Sequence, residues 1–256
     1  MRISFSKSVT ESLLAKIRSG EMMSRNEKFN LIIQLSIPSI LAQVTTVLMF
    51  YIDAGMVGSL GAEPSAAIGL VEPATWLFFS LVSAVTMGFS VQVAHFIGAN
   101  DFAKARAVMR HGYIFGLCFA LLLLLITFLI GSRLPVWLGG GTDIQHDATV
   151  YFLIFSLIIP FHLIEYMSAA MLKVSGDMRR PSFMAILMCV LDVIFNYFFI
   201  FPTRTVSLLG VEMTMPGLGE GVAGAALGSL LSFVCVALPL AYYAIFRSPI
   251  LAWKQD

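Results

Sequence analysis

Charged residues are scarce in this sequence. They make up 12% of the 256 residues, and 58% of the residues are hydrophobic. A soluble globular domain has about 25% charged residues, so this fraction and a mean hydropathy of +0.87 indicate a polytopic membrane protein. The net charge of +1 leaves no global basic surface of the kind that binds nucleic acid.

Motifs of known enzymes and metal sites are also missing. There is no P-loop, Gly-x-Ser-x-Gly, Cys-x-x-Cys or His-Glu-x-x-His. Cys118, Cys189 and Cys235 lie in apolar runs without metal-ligand spacing, which predicts small buried hydrophobic residues. The first 28 residues lack the apolar stretch of a cleavable signal peptide. We therefore expect no enzymatic activity and no cofactor other than a coupling ion.

The sequence does contain apolar runs long enough to cross a membrane as helices, which takes about 20 residues. These runs, such as 113–130, are continuous and lack the alternation of a membrane barrel. The predicted fold class is all-α, a six-transmembrane-helix bundle. Its predicted spans are 31–57, 67–97, 112–132, 148–172, 181–202 and 222–246. Pro38, Pro73 and Pro160 can each kink a span.

Basic residues divide the chain into three parts and set its expected orientation. Residues 1–28 form a polar N-terminal arm, 29–248 the six-helix lobe and 249–256 a tail. Fourteen of the sixteen Lys and Arg residues fall on one side of the predicted spans. The positive-inside rule therefore predicts that both termini lie in the cytoplasm, with the lobe in the inner or plasma membrane. The arm is either a short surface helix or a loosely attached tail.

Four acidic residues lie inside the apolar segments, namely Asp53, Glu72, Glu165 and Asp192. A carboxylate at the centre of a bilayer costs roughly 2.5–3.5 kcal/mol on insertion scales. Such a group usually faces a protein cavity, where it binds a proton, a metal ion or a cationic ligand. The alternative is a protonated or paired carboxyl that holds helices together. The sequence therefore predicts a cation-binding cavity, with these four residues as candidates.

Asp192 and Asn196 are the most suggestive pair. They lie four residues apart, so they share one face of the fifth span. A carboxylate and an amide oxygen are hard ligands that suit Na⁺ or a shared proton, and the alternative is an interhelical hydrogen bond. Asp53 lies at a similar depth, so the three residues can share a cavity and form a Na⁺ site. Gln43 is a further candidate, but about 15 Å away in another layer.

His162 and Glu165 lie three residues apart, on one face of the fourth span. The two side chains can pair with each other or relay a proton, and we favour pairing. In the sixth span, small residues follow the spacing of close helix contacts. Gly and Pro residues suggest turns and a short hairpin in the loop 203–221. The 14 Met and 21 Phe residues can supply a soft cavity wall for apolar cations.

Several segments together resemble the multidrug and toxic compound extrusion (MATE) family of antiporters. "IPSILAQ" and "YIDAGMVGSLG" resemble the first helix of the family and its exit. "AHFIGANDFAKARAV" and "AAMLKVSGDMRRP" resemble two of its cytoplasmic loops. "LDVIFNYFFIF" followed by "GEGVAGAALGS" resembles helix five and the start of helix six. The resemblance covers roughly residues 30–247, in the order of the family.

The resemblance implies a transporter that exports organic cations in exchange for sodium ions or protons. Family members usually have twelve helices in two lobes around a central cavity. In part of the family, an Asp on helix one and an Asn/Asp pair on helix five couple to the ion. Asp53 matches the first residue. At the pair, this chain has Asp192 and then Asn196, the reverse of the family order, so the resemblance leaves the ion and its geometry open.

Six helices correspond to one lobe of such a transporter. The chain is then a truncated product, a half that pairs with a second chain or copy, or a lobe whose other half is encoded separately. We expect transport of an organic cation across the bilayer only when a second lobe or a second copy is present. The alternatives are a lipid-linked sugar flippase of the same superfamily and a non-transporting membrane subunit or fragment.

Overall fold

The computed structural model describes residues 12–253, apart from residues 14, 18, 209 and 210. The predicted N-terminal arm and tail are therefore described in part, since residues 1–11 and 254–256 lie outside. Long helices dominate the described residues. From Arg25 onward the α-helices are α1 (Arg25–Gly58), α2 (Ala62–Gly98), α3 (Phe102–Gly131), the single turn α4 (Leu134–Trp137), α5 (Gln145–Ser156), α6 (Ile158–Val174), α7 (Arg179–Ile200) and α8 (Gly221–Tyr242).

Two polar residues fix the starts of the long helices α1 and α3. Ser24 caps α1: its hydroxyl accepts from Glu27 N at 3.3 Å, and Glu27 Oε2 accepts from Ser24 N at 2.8 Å. Asp101 caps α3 by accepting from Lys104 N at 3.1 Å. The Lys104 ammonium also bonds to this carboxylate and lowers the pKa of Asp101. These caps place the turns where the sequence changes from polar to apolar.

Five helices are long and apolar enough to cross a membrane, and six spans result if α5 and α6 count as one. This agrees with the predicted all-α, six-span bundle. The predicted fourth span, 148–172, is not one straight helix, because α5 and α6 meet at Leu157 with a bend of 40°. Pro160 explains the break, since it has no N–H to donate to the carbonyl of Ser156. Pro38 and Pro73 remain inside unbroken helices.

The two largest apolar centres of the bundle leave a gap between α1 and α2. One centre lies among α2, α3, α5 and α6 and includes the fully buried Val82, Met109, Phe152 and Leu163. The other lies between α1, α6, α7 and α8 and includes Met49, Met188 and Phe233. Helix α1 packs mainly against α7 and only weakly against α2. The space between α1 and α2 is the cavity described below.

Helix α8 is the helix with the closest approach to its neighbour. A Cβ atom on Gly224 would collide with the carbonyl of Phe199 and would lie 2.8 Å from Ile200 N. Gly228 lies equally close to Asn196. The predicted close contact along the small residues of the sixth span is thus confirmed at these two positions.

A two-stranded antiparallel hairpin joins α7 to α8. Its strands are β1 (Pro202–Leu208) and β2 (Val211–Leu218), with Arg204 opposite Met215. The hairpin is the one addition to the all-α fold among the described residues, and it falls in the loop where turns were predicted. The end of the bundle with this hairpin is called the hairpin end here, and the end with Arg25 the terminal end.

The prediction of three buried cysteines is correct for Cys189 and wrong for Cys118 and Cys235. The latter two are exposed on the outside of the bundle. Both lie on helices whose outer faces carry leucine and phenylalanine, so in a membrane these surfaces contact lipid rather than water.

The segment after α8 returns to the bundle at its terminal end. It begins with a π-helical turn, Tyr243–Arg247. Leu251 then enters the apolar centre near α3 and has 0% exposure. Trp253 N donates to the carbonyl of Ile245 at 2.7 Å, and the Trp253 ring lies 5.5 Å from the Arg110 guanidinium. The described part of the predicted tail is therefore packed against the lobe.

This packing makes Leu251 a stability determinant. We expect Leu251→Ala to lower the free energy of unfolding by about 2–5 kcal/mol, because it removes a fully buried side chain and leaves a cavity. Thermal unfolding in detergent measures the effect. Leu238→Ala is the matched control, since Leu238 is 52% exposed on the outside of the bundle. Equal melting temperatures for the two variants would contradict the prediction.

Candidate functional site: a cavity between α1 and α2

A cavity of about 510 Å³ opens between α1 and α2 and is closed at the back by α5, α6, α7 and α8. Its walls combine aromatic rings with a few polar side chains. The rings are Phe50, Trp76, Phe79, Tyr151, Phe155, His162, Tyr166 and Phe233. The charged residues are Asp53, Glu72, Glu165 and Lys173. A mostly apolar cavity with few polar groups is the usual form of a small-molecule site.

Asp53, Asp192 and Asn196 meet at the hairpin end of this cavity. Asn196 Nδ2 donates to Asp53 Oδ1 at 2.9 Å and to Asp192 Oδ2 at 3.0 Å. Asp192 and Asn196 are 0% and 1% exposed, while Asp53 is half-buried and lines the cavity. One amide group thus bridges two carboxylates from α1 and α7. We call these three residues the carboxylate–amide triad.

Ser232 of α8 also contacts the triad. From the sequence, the small-residue face of this helix was predicted to serve packing. Ser232 Oγ lies 3.1 Å from Asp192 Oδ1 and 2.7 Å from the carbonyl of Ser229. A hydroxyl has one hydrogen, so Ser232 can donate to only one of these two acceptors at a time. The signal for this role was present, because Ser232 is a polar residue on the small-residue face that contacts α7.

The triad offers oxygen ligands for a small cation. Asn196 Oδ1 is buried and accepts no hydrogen bond from any residue that the structure describes. The two carboxylates are hard donors of the kind that binds Na⁺ or shares a proton, whereas Asn196 Oδ1 points towards Gly228 of α8, away from the carboxylates that its Nδ2 contacts. Within the described residues, no group of three His, Cys, Asp or Glu side chains is placed to hold a metal ion. Among the described residues, the triad by itself therefore offers two carboxylates to a cation.

Glu72 lies on the opposite wall of the cavity, on α2. Its Oε1 accepts from Trp76 Nε1 at 3.3 Å, one turn further along the helix. The Trp76 ring in turn lies 5.1 Å from the Phe50 ring of α1. This ring pair is one of the few contacts that bring α1 and α2 together.

The predicted pairing of His162 with Glu165 is wrong. His162 lies flat on Phe79, with ring centroids 4.4 Å apart, and meets Phe233 edge-on at 5.7 Å. Both of its ring nitrogens are buried, and neither has a hydrogen-bond partner within the described part of the chain. The two residues do share a helical face, but aromatic rings from α2 and α8 hold the imidazole away from the carboxylate.

Gln43 and Lys173 line the part of the cavity towards the terminal end. Gln43 lies ten residues before Asp53 on α1, so the two side chains are separated by about 15 Å along the helix, as predicted. One cavity nevertheless contains both. From the sequence, Lys173 entered the analysis of charge only as one of the basic residues that set the orientation of the spans. Its position directly after Met171 and Leu172, at the end of an apolar helix, was the available signal for a further role. Lys173 is the single Lys or Arg among the described lining residues.

A bundle of apolar helices around a cavity with carboxylates inside the spans is the architecture of a multi-pass membrane protein with a candidate cation site. The chain belongs to the MatE family, whose model matches residues 38–198, more than half of the sequence. The resemblance noted from the sequence is thereby confirmed. Proteins of this family are transporters, which agrees with the expectation that the chain is not an enzyme.

Relatives and solved structures of this family cover most of the chain. A probable multidrug resistance protein NorM from Neisseria meningitidis serogroup A is 23% identical over 83% of this chain and 44% of its own length. A protein named FAD transporter from Shewanella oneidensis is 22% identical over 84% of this chain and 45% of its own length. A crystal structure of MATE in complex with MaL6 superposes with a TM-score of 0.81 at 23% identity, covering 97% of this chain and 50% of that one. The chain thus spans about half the length of these proteins.

Proposed function

We propose that the chain is one lobe of a secondary antiporter that exports organic cations in exchange for protons or sodium ions. The observation that carries this proposal is the carboxylate–amide triad at the hairpin end of an aromatic cavity. Buried carboxylates in membrane helices are expensive and usually serve a transported cation. In this proposal, the coupling ion binds at the triad and the cargo binds in the cavity.

The charges of the cavity favour a cationic cargo. Three carboxylates, Asp53, Glu72 and Glu165, line it, against Lys173 as the single basic lining residue that the structure describes. Aromatic faces attract cations through their negative quadrupole, and desolvation strengthens this attraction to about 2 kcal/mol. A flat aromatic cation therefore gains from both the rings and the net negative charge.

Exchange follows from the shared negative charge of the cavity. Two carboxylates around one amide repel each other, so a proton or a sodium ion at the triad relieves this repulsion. The same event removes negative charge from the wall that attracts the cargo. Ion binding therefore lowers the affinity of the cavity for the cargo, and cargo binding lowers the affinity of the triad for the ion, as reciprocal linkage requires.

We also propose that transport requires a second six-helix unit, either another chain or a second copy. The relatives are about twice as long as this chain, which supports two lobes. The cavity is lined by one lobe and is open between α1 and α2, so a partner would supply the facing wall. Alternating access then results from rocking of one lobe against the other around the cavity.

The proposed orientation places the terminal end of the bundle in the cytoplasm, with the chain in the inner or plasma membrane. Fourteen of the sixteen Lys and Arg residues fall in sequence segments on one side of the predicted spans, the side of Arg25, which the positive-inside rule assigns to the cytoplasm. The hairpin and the triad then lie towards the outside.

Three alternatives make different predictions. A flippase for lipid-linked sugars, or a carrier of an anion such as the cargo in the name of the Shewanella relative, needs a basic cavity. Three carboxylates against Lys173 disfavour both. A non-transporting subunit or fragment would have the same fold but would show no ion-dependent transport.

Reconstitution into lipid vesicles tests the proposal. We expect ethidium, a fluorescent organic cation, to be taken up when a pH or sodium gradient is imposed. Uptake per chain should rise with the protein-to-lipid ratio, because a second copy completes the cavity. Uptake that is independent of both gradients, or absent at every ratio, would reject the antiporter proposal for this chain.

A further inference from the structure

Arg110 of α3 is an exposed arginine at the edge of the apolar surface of the bundle. It lies three residues before the uncharged run 113–130. This run extends about 27 Å as a helix, close to the thickness of the hydrocarbon core of a bilayer. Arg110 therefore lies at the level where the headgroups of a lipid leaflet begin. In the part of the chain that the structure describes it has no carboxylate partner, and its guanidinium lies 5.5 Å from the centre of the Trp253 ring.

Three exposed rings continue from Arg110 along the outside of the bundle. The centroid of the Trp253 ring lies 6.5 Å from that of Phe246, which lies 5.4 Å from that of Tyr242 at the end of α8. Rings at this level of a membrane protein contact both the headgroups and the first carbons of the lipid chains. We call Arg110 and these three rings the arginine–ring ladder.

Contacts on the inner side of the ladder hold it in place. Leu251, which is fully buried in the apolar centre near α3, anchors the segment that carries Trp253. Arg106, one turn before Arg110, donates from Nη1 to the carbonyl of Ile250 at 3.4 Å. The backbone nitrogen of Trp253 donates to the carbonyl of Ile245 at 2.7 Å. A surface that is already ordered loses little conformational entropy when a ligand binds to it.

The charge next to the ladder is positive. Arg247 directly follows Phe246, is exposed, and has no ion pair with any residue that the structure describes. Lys104 lies on α3 about 9 Å before Arg110, but its ammonium is paired with the Asp101 carboxylate at 2.8 Å. The positive charge available to an anion at the ladder therefore comes from two arginines. A guanidinium can donate two parallel hydrogen bonds to a phosphate group.

We propose that the arginine–ring ladder binds the headgroup of an anionic phospholipid. The lipid phosphate accepts hydrogen bonds from Arg110 and is attracted by Arg247, and an acyl chain lies along the exposed face of Tyr242 and Leu238 on α8. The rings match a ligand with an apolar part, which a soluble anion lacks. In the proposed orientation, this end of the bundle lies in the cytoplasmic leaflet, which carries anionic lipids. Basic sites at helix ends on that side bind such headgroups in membrane proteins.

Tryptophan fluorescence tests this inference without requiring transport. The chain has three Trp residues, so Trp76→Phe with Trp137→Phe gives a parent variant in which Trp253 is the single fluorophore. The parent is placed in vesicles of phosphatidylglycerol and phosphatidylcholine, in which either one lipid or the other carries brominated chains that quench a nearby indole. The ratio of the two quenching values gives the preference of the ladder for the anionic lipid. We expect phosphatidylglycerol to be preferred by at least about fivefold at low salt.

Single substitutions in this parent separate a specific site from the general surface charge. Arg110→Gln should lower the preference about fivefold, and Arg247→Gln should lower it without changing the contact between Arg110 and Trp253. Lys104→Gln removes the same charge from the same end of α3 and should leave the preference unchanged, because this ammonium is already paired. Equal preferences in the parent and both arginine variants would overturn the inference, as would an equal loss in Lys104→Gln.

Inorganic phosphate distinguishes a lipid from a soluble anion. Phosphate is added to the vesicles and compared with chloride at the same ionic strength. Quenching by brominated phosphatidylglycerol should be the same in both salts, because the rings and the acyl chain contribute to lipid binding. If phosphate but not chloride reverses the quenching, the ladder is a site for a soluble anion and the lipid proposal is wrong.

Discussion

Replacing Asp53 with Asn is expected to reduce ethidium transport driven by a pH or sodium gradient to the level of vesicles without protein. The Asn side chain has the same shape and can still accept the hydrogen bond from Asn196 Nδ2, which spans 2.9 Å in the structure. What it lacks is the negative charge that a coupling ion neutralises. In Asp53→Asn, the coupling ion has equal affinity for the two states of the lobe. It therefore cannot shift the equilibrium between them.

The control for this variant is Asp143→Asn, which makes the same chemical change in an exposed loop outside the cavity. Its transport should equal that of the unaltered chain. The melting temperature of Asp53→Asn should be maintained or raised, since one of two neighbouring carboxylates is gone. Gradient-driven transport that persists undiminished in Asp53→Asn would show that coupling does not pass through the triad.

Residue order within the triad lets one amide contact both carboxylates. Asn196 lies one turn closer to the hairpin end than Asp192, at the level of Asp53, and its amide contacts both carboxylates. Asp192 is left to face α8, where Ser232 lies 3.1 Å away. An amide between two carboxylates provides a donor to each, whereas a carboxylate in that position would provide none. The order Asp192 and then Asn196 therefore keeps the triad connected.

The spans and the triad could be predicted from the sequence because both follow from simple periodicity. Apolar length determines where helices cross, and a spacing of four residues places Asp192 and Asn196 on one face. Equal depth on two spans that run in the same direction then brings Asp53 to them. These rules depend on the geometry of single helices, which tertiary contacts change little.

Contacts between distant segments could not be predicted in the same way. The spacing of His162 and Glu165 permits a pair, but Phe79 of α2 and Phe233 of α8 decide where the imidazole lies. The sequence likewise gives no sign that Leu251, after a polar turn, returns to the apolar centre. In both cases the outcome depends on which side chains from other helices reach the same space, and local patterns do not contain that information.

The second large effect is expected at Gly228, whose position against α7 shapes the triad. A Cβ atom there would collide with Asn196 Oδ1 and lie 2.8 Å from the Asn196 backbone nitrogen. Contact with backbone cannot be relieved by a rotamer change, so Gly228→Ala must push α8 away from α7 or displace the Asn196 amide. We expect a loss of about 1–3 kcal/mol in the free energy of unfolding, as for other overpacked sites. Thermal unfolding in detergent measures it.

Gly88→Ala is the matched control, since a Cβ atom at Gly88 on α2 meets nothing within 4 Å. Its stability should stay equal or rise by up to about 1 kcal/mol, because Ala favours a helix over Gly. The functional result for Gly228→Ala comes from ethidium binding measured with and without sodium and at two pH values. The dependence of the ethidium affinity on sodium or pH should weaken, although every carboxylate is still present. Normal ion dependence in a destabilised Gly228→Ala would mean that the ion is held by the carboxylates alone. A loss of ion dependence would instead require the Asn196 amide at its observed place between them.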